Sequence, residues 1–327
     1  MLNRPFGVAP ECRRLQVDAP SIYDGSMRNF GLFLALVAAG CGSGVSADKA
    51  CTDLAAALCT QLSNCAAPLI TTSYGDVATC QARAKLGCMP SLTAPGTSAT
   101  PDKLDKCATA FASGTCDALF SRDMPSACIP DPGKLANGAA CGDDSQCTST
   151  YCKKPAGMVC GVCGMRSTAG GACAVNEDCD YKLACANMVC VAYGAVGASC
   201  DAGHPCADPN VCKAGTCATP AGAGQACTPT ASGGDCDQTK GLFCNPQTRV
   251  CAQATFAGAG QPCGIVNGGF TACSAGGTCK LGAGVSGTCS APAADGAACD
   301  PANGVGCVAP AECVNSVCKL PDPASCT

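Results

Sequence analysis

The sequence has little of what most globular enzymes are built from. It has no tryptophan, only 4% aromatic and 13% charged residues, and a single histidine, His204. With so few large side chains, one large hydrophobic core is not expected, and small cross-linked units are the usual physical solution. His204 lies in the loop-like stretch "DAGHPC". A lone loop histidine argues against a zinc site or a nucleophile–base pair, both of which usually recruit histidine.

Common catalytic motifs are missing as well. There is no Gly-x-Ser-x-Gly, no phosphate-binding Walker loop and no His-Glu-x-x-His. The formal net charge is −4, and no basic patch indicates nucleic acid or an anionic membrane surface as a partner. We therefore expect a protein that is not an enzyme, holds no cofactor or metal, and binds no nucleic acid.

Long apolar runs are absent, and one short run lies near the start. Residues 31–39 are apolar, but a membrane span needs about 20 such residues, so this run fits the centre of a secretory signal peptide. Met27 and Arg28 supply a start and a positive charge just before it. We expect translation to begin at Met27, with 1–26 as an upstream extension and 27–40 as the signal; a long native leader is the alternative.

The apolar run ends in small residues before a cysteine, "VAAGC", with Cys41 last. This stretch resembles the lipobox of bacterial lipoproteins, although Ala38 replaces the more usual leucine. The resemblance implies cleavage before Cys41 and acylation of its thiol and its new amine, and two or more acyl chains anchor a protein stably. We expect an exported protein anchored by Cys41 to the bacterial envelope, in the outer membrane and facing periplasm or cell surface, with 41–47 as a tether. Ordinary cleavage and free secretion is the alternative.

Cysteine is what the sequence has in excess. There are 36 cysteines in 327 residues, a frequency that indicates a disulfide scaffold in an exported chain. Without Cys12 and Cys41 the number stays even, so the mature part can pair fully. We predict a small disulfide-rich fold, with an N-terminal α-helical disulfide-stapled domain followed by tandem cysteine-rich repeats that form short β-ribbons and turns.

Residues 48–130 are the predicted helical domain. Apolar residues recur at three- and four-residue steps between Cys51 and Cys65 and again after Val77. The stretch "TPD" at 100–102 has the composition of a helix start, with a capping hydroxyl, a proline and an acid. The segment "LITTSYGDVATC…SLTAPGTSATPDKLDKC" is similar to a helical cysteine-rich segment of Gram-negative lipoproteins of unknown role, which implies location and fold but no activity.

Eight cysteines lie in this helical domain. If the first two helices form a hairpin, the cysteines nearest its turn face each other. We therefore expect bridges between Cys65 and Cys80 and, further out, between Cys59 and Cys88. The remaining four cysteines would tie the third helix and the tail.

Residues 136–326 are the predicted set of six tandem repeats. The opening Gly-x-x-Cys recurs six times, and four principal cysteines follow in each unit with gaps that vary, as in loops between disulfides. Three pairings are open for each unit. Pairing first with third and second with fourth closes loops of about 12 residues, worth roughly 3 kcal/mol per bridge. It gives as candidates Cys173–Cys185, Cys179–Cys190, Cys200–Cys212 and Cys206–Cys217.

The first unit, "CGDDSQCTSTYCKKPAGMVCGVC", has a fifth cysteine. Its acidic residues before the second cysteine, central Tyr-Cys and final Cys-Gly-x-Cys resemble the Dickkopf N-terminal cysteine-rich region, strongly over this unit and loosely over 136–320. Growth-factor antagonism is not carried over, because a lipobox implies a bacterium. Cys163 and Cys326 lie outside the fourfold pattern and are left to pair with each other or with neighbours. Glycine-rich joints between units predict a bent, mobile rod.

Two patterns could carry chemistry but favour structural roles. Cys160 and Cys163 form a CxxC, yet no thioredoxin-like strand–helix pattern surrounds it, so we expect structural bridges. Acidic residues near cysteines could bind calcium but lack EF-hand spacing, so we expect loop solvation or capping: Asp143, Asp144, Asp178, Asp180, Asp235 and Asp237.

The expected role is a non-enzymatic binding or spacing rod, whose partner would be an extracellular protein or glycan. Two alternatives stay open. One is an inhibitor of extracellular proteases that presents "TSTY" or "DYKLA" as an exposed reactive stretch. The other is a reduced, thiol-rich metal-binding protein.

Overall fold

Helices come first in the described chain, and short strands and turns follow. The computed structural model describes residues 44–155, 157–229, 234–282 and 284–326, which fall within one compact unit. Met27, the signal peptide, Cys12 and Cys41 lie outside the described residues, so the predictions made for them stay predictions.

The helices are α1 (Ala47–Ser73), α2 (Val77–Ser91), α3 (Pro101–Ala112) and α4 (Cys116–Phe120). Each begins after a side chain that accepts a hydrogen bond from an amide of the first turn, the usual N-cap arrangement. The caps are Ser46, Asp76, Thr100 and Thr115. The "TPD" stretch is therefore the start of α3, as its composition predicts.

Helix α1 is the centre of the helical part. By length and composition alone it could cross a bilayer, yet α2 and α3 pack along it and three of its cysteines are bonded to other helices. Ala66 has a non-helical backbone and Pro68 follows within the helix, where a proline ring obstructs continuous hydrogen bonding. This break separates the last turns of α1 from the rest.

The helical disulfides correct two predicted bridges. The bonds are Cys51–Cys88, Cys59–Cys80, Cys65–Cys116 and Cys107–Cys128, so the predicted Cys59–Cys88 and Cys65–Cys80 bridges are wrong. The α1–α2 hairpin does form, but in a register that sets Cys59 opposite Cys80. The break at Ala66 lies between Cys65 and the turn, so Cys65 bonds to α4 instead of α2.

Short strands form small sheets over the rest of the described chain. Four two-stranded ribbons, β4–β5, β6–β7, β8–β9 and β15–β16, accompany a three-stranded sheet in the order β1-β3-β2 and a five-stranded sheet in the order β10-β12-β11-β14-β13. The strands are β1 (Ala140–Cys141), β2 (Cys152–Lys153), β3 (Gly161–Cys163), β4 (Leu183–Ala186), β5 (Val189–Ala192), β6 (Val211–Lys213), β7 (Thr216–Ala218), β8 (Leu242–Cys244), β9 (Cys251–Gln253), β10 (Thr255–Ala257), β11 (Pro262–Val266), β12 (Gly269–Cys273), β13 (Thr278–Leu281), β14 (Ser286–Ser290), β15 (Glu312–Val314) and β16 (Val317–Lys319).

Six groups of four cysteines lie in this part, and five of these groups form buried clusters. In every group the first cysteine is bonded to the third and the second to the fourth. The third and fourth also face each other across a strand pair. We number the groups one to six: Cys141/147/152/163, Cys173/179/185/190, Cys200/206/212/217, Cys227/236/244/251, Cys263/273/279/289 and Cys299/307/313/318.

The recurring glycine of Gly-x-x-Cys has a backbone role. Its amide donates to the carbonyl of the fourth cysteine in all six groups, for example Gly197 to Cys217 at 2.8 Å. Its φ is positive in all six, between +75° and +88°, a region that residues with a Cβ rarely adopt. The glycine therefore closes the first loop of each group onto the hairpin.

The extra cysteine of the first unit is Cys160 and not Cys163, which was expected to lie outside the fourfold pattern, and Cys160 joins the two ends of the cysteine-rich part. Cys160 is bonded to Cys326 across 166 residues, whereas Cys163 is bonded to Cys147. Arg83 of α2 reaches group six, where it forms a two-pronged ion pair with Asp295 at 2.5 and 2.8 Å. The chain thus returns on itself and onto the helices, which differs from the bent, mobile rod that the glycine-rich joints predict.

Candidate functional site: an apolar cleft at the end of α1

An apolar cleft of about 650 Å³ lies between the last turns of α1 and two of the small sheets. Pro68 and Leu69 come from α1, Phe243 comes from β8, and further apolar residues come from the five-stranded sheet. No charged side chain is among its described lining residues. Ligand sites are typically clefts of about 300–1,000 Å³ with mostly apolar walls, so this cleft has the size and lining of a small-molecule site.

Strand alternation places the sheet residues of the cleft on one face. Ile265 of β11 is paired with Phe270 of β12, and Phe256 of β10 is paired with Ala272 of β12. Phe270 and Ala272 are two residues apart, so they lie on the same face of the sheet. All four line the cleft.

Backbone contacts hold the end of α1 against the sheets. The amides of Ala275 and Gly276 donate to the carbonyls of Thr71 and Thr72 at 2.9 and 2.6 Å, which satisfies carbonyls that a helix end leaves free. Gly241 has a φ of +71°, and a Cβ there would lie 2.9 Å from Cγ of Pro68. A glycine is therefore required where β8 begins beside α1.

Aromatic side chains are concentrated at this cleft. Of the five phenylalanines in the described ranges, Phe243, Phe256 and Phe270 line it, and the rings of Phe243 and Phe270 are 5.5 Å apart at 45°. Phe243 is buried, while Phe270 and Leu69 are 37% and 43% exposed. The other small cores rely on cysteine with few large side chains, so this cleft differs from them in having three phenylalanines in a partly open wall.

Sequence reasoning missed this cleft. A signal was present, because three phenylalanines fall between 243 and 270 in a chain that has 8 in all. Their shared face depends on the parallel pairing of β10 with β12 and on the contact with α1, which pattern reading along the chain does not reveal.

The single histidine lies elsewhere, in a loop of group three. The His204 side chain is 68% exposed, and its Nδ1 is 2.8 Å from Oδ1 of Asp201. That contact and the Gly203 amide lower the pKa of Asp201 below its usual range. With one exposed carboxylate as its side-chain contact, His204 has the surroundings of a solvated loop residue.

The CxxC pair and the other cysteines are engaged in disulfides. Cys160 and Cys163 are bonded to different partners, so this pair does not form the local disulfide of a redox-active CxxC. All cysteines in the described ranges are bonded, in 17 disulfides. Three cysteine sulfurs lie close together within the groups, as in Cys227, Cys236 and Cys244, and this proximity reflects crossing disulfides and not free thiolates.

Acidic and amide side chains near the cysteines cap backbone amides. The residue before the second cysteine accepts from the amide that follows the first cysteine in three groups: Gln146 from Gly142 at 2.7 Å, Asp178 from Ala174 at 2.7 Å and Asp235 from Thr228 at 2.8 Å. Asp178 and Asp235 therefore have the capping role that the sequence predicts for them. Asp143 and Asp237 cap local turns in the same way.

Asp178 is the most strongly perturbed of these carboxylates. Burial would raise its pKa, but the Tyr151 hydroxyl donating at 2.7 Å, the Ala174 amide and Lys153 together lower that pKa to about 2. Burial and the neighbouring Asp178 raise the pKa of Tyr151. The Arg166 guanidinium lies 4.3 Å from the Tyr151 ring and pairs with Asp144 at 2.7 Å. This polar cluster joins groups one and two.

The two stretches proposed as reactive loops of an inhibitor are not freely exposed. Tyr151 of "TSTY" and Ala184 of "DYKLA" are each 4% exposed. Lys182 is tied to the end of α4, with its amide donating to Arg122 and its ammonium paired with Asp123 at 3.1 Å. Packing of group two against the helices accounts for this difference, which sequence spacing does not show.

No protein-family model, no curated protein and no solved structure matches this chain.

Proposed function

We propose that this chain is a non-enzymatic, lipid-anchored protein of the bacterial envelope that acts as a binding or structural module. The observation that carries the proposal is the bonding of all cysteines in the described ranges in 17 disulfides. Disulfides in such number persist in oxidising compartments and are rare in the cytosol. Export through the signal at 27–40 and acylation at Cys41 agree with this redox state.

The proposal includes a tandem array of one unit, similar to the Dickkopf N-terminal region, over 136–326. Its support is the identical bonding order in groups one to six and the shared glycine-to-fourth-cysteine hydrogen bond. Each unit has too small a core to fold from apolar burial alone, and two crossing disulfides offset the ordering cost. The units form a closed scaffold on the helices and not a rod, with an extracellular protein, glycan or small molecule as the proposed partner.

The two alternative roles have less support. Buried Tyr151 and Ala184 weigh against a protease inhibitor that uses their stretches. Disulfide bonding of the described cysteines weighs against a metal-binding protein, because the thiolate is the metal ligand.

The test is the intact mass of membrane-extracted protein after thiol alkylation without reduction. We expect a lipid-modified chain that begins at Cys41 and carries no alkylated thiol. Many alkylated thiols would contradict the oxidised scaffold, and a mass without lipid would contradict the anchor. A panel of proteases assayed with micromolar protein checks the inhibitor alternative, and metal analysis checks the metal-binding one.

A further inference from the structure

The cleft at the end of α1 has walls that distinguish between classes of ligand. Its polar lining is small: the Thr72 hydroxyl already donates to the Pro68 carbonyl at 2.9 Å. A charged ligand would lose its hydration without gaining an ion pair from any described lining residue, which is costly. An uncharged, mainly apolar ligand loses little on entry and gains by leaving water.

The shape of the aromatic wall adds a second constraint. Phe243 is nearly buried and Phe270 is tilted over it at 45°, so the exposed ring of Phe270 forms part of the open wall. Phe256 and Ile265 continue the same face of the sheet. Aromatic rings gain about 0.5–1.5 kcal/mol from edge-to-face or offset contact with a further ring, beyond area burial, so this wall favours a ring over a flexible chain.

The volume limits the size of the occupant. About 650 Å³ admits a molecule of two or three rings. A protein partner would instead need about 800 Å² of its own surface buried for a stable complex, and the apolar side chains at this mouth are few, with Leu69, Phe270 and Val285 as its exposed large members.

We infer that the cleft formed by α1, β8 and the five-stranded sheet binds a small, uncharged molecule with an aromatic ring system. This inference rests on the proposed binding role and names its ligand class. It is independent of the anchor at Cys41, because the described lining residues of the cleft lie between 68 and 285.

The experiment uses N-phenyl-1-naphthylamine, a neutral aromatic probe whose fluorescence rises in apolar surroundings. The full chain carries Cys41→Ser, so that no anchor is attached and no detergent competes for the probe. Only protein whose intact mass shows full oxidation is used, which separates loss of the cleft from failure of the scaffold.

Three variants are compared with this parent. Phe270→Ala removes the exposed ring, and Leu69→Glu places a carboxylate at the mouth on a residue that is 43% exposed and therefore tolerant of change. Leu281→Ala is the matched control, since Leu281 lies in β13 of the same sheet, is 59% exposed and does not line the cleft. Thermal unfolding checks that each variant is folded.

We expect saturable binding of one probe per chain, weakened about tenfold in Phe270→Ala and Leu69→Glu and unchanged in Leu281→Ala. Displacement by biphenyl and not by palmitate is expected as well. The inference is overturned if binding is not saturable or if both cleft variants bind like the parent. Displacement by palmitate alone, or a dimer that excludes the probe, would overturn it too.

Discussion

The helical part and the cysteine groups use the same covalent bond in different ways. In the helical part, the disulfides join residues 21–51 apart and each pairing is different. In groups one to six, the crossing disulfides join residues 11–17 apart in one repeated order. The disulfides of the helical part thus fix how distant segments pack together, whereas the two crossing disulfides of each group hold one short hairpin.

The Cys160–Cys326 bond is an exception among the bonds of the cysteine-rich part, because it spans 166 residues. Replacing both cysteines by serine is expected to lower the free energy of unfolding by about 5 kcal/mol, since the unfolded chain regains the entropy of a long loop. Denaturant unfolding of the oxidised protein measures this loss. An unchanged midpoint would show that the ends are held together by the Arg83–Asp295 contact and the packing of the helices alone.

Group three tests the local character of the crossing bonds. Replacing Cys200 and Cys212 by serine removes a bond that spans 12 residues and is expected to cost about 3 kcal/mol. Amide hydrogen exchange is expected to rise in β6 and β7 and to stay at the parent level in α1–α3, because the bond holds its own hairpin. Faster exchange throughout the helices would contradict the claim that this disulfide holds only its own hairpin.

Asp178 links groups one and two through its contact with Tyr151. The pH dependence of stability therefore tests a contact between two of the local groups. Its pKa of about 2 in the folded protein lies below the value of about 3.9 for an unfolded aspartate. The ionised form therefore contributes about 2 kcal/mol of stability above pH 4, and this contribution is lost as the pH falls from 4 towards 2. We expect Asp178→Asn to flatten the pH dependence of the unfolding midpoint over that range.

The control for Asp178 is Asp180→Asn, two residues along the chain and outside the capping position. It is expected to retain the pH dependence of the parent protein. If both variants flattened the pH dependence of the unfolding midpoint equally, the contact of Asp178 with the Ala174 amide would not be its source.

The smallest expected effect concerns the glycine that opens each group. Gly197 has a φ of +88° and nothing within 4 Å of a built Cβ, so Gly197→Ala changes backbone strain without a clash and is expected to cost about 1 kcal/mol. Gly258 also has open space but no positive φ, so Gly258→Ala is expected to be neutral or slightly stabilising. Thermal unfolding compares them, and equal midpoints would contradict the backbone role.

How well the disulfides could be predicted from the sequence depends on the same difference between local and non-local contacts. The repeated Gly-x-x-Cys spacing assigns four cysteines to each unit and leaves three pairings open, and the structure has one of them, with Cys173 bonded to Cys185 and Cys179 to Cys190. The choice was this narrow because each bond is formed within one short unit. The partners predicted for Cys59 and Cys65 were wrong because the true partners depend on the break of α1 at Ala66. The spacing of the cysteines does not encode this break.

The candidate site was harder to predict from the sequence than these disulfides. The cleft requires the parallel pairing of β10 with β12. It also requires the docking of the end of α1 onto the loop at Ala275 and Gly276, a contact between segments about 200 residues apart. Glycine-rich joints predict flexibility from composition, but Cys160–Cys326 and the Arg83 contacts close the chain regardless. The sequence has three phenylalanines between 243 and 270, but it does not show that their side chains line one cleft.

The central claim is that six local groups of crossing disulfides are closed into one scaffold by a single long-range disulfide. Disulfide mapping by mass spectrometry of the unreduced, protease-cut protein tests this claim most directly. Our account predicts a linked pair of peptides that carry Cys160 and Cys326, together with Cys147–Cys163 within the first group. A bond between Cys160 and Cys163, or a free thiol at Cys326, would contradict it.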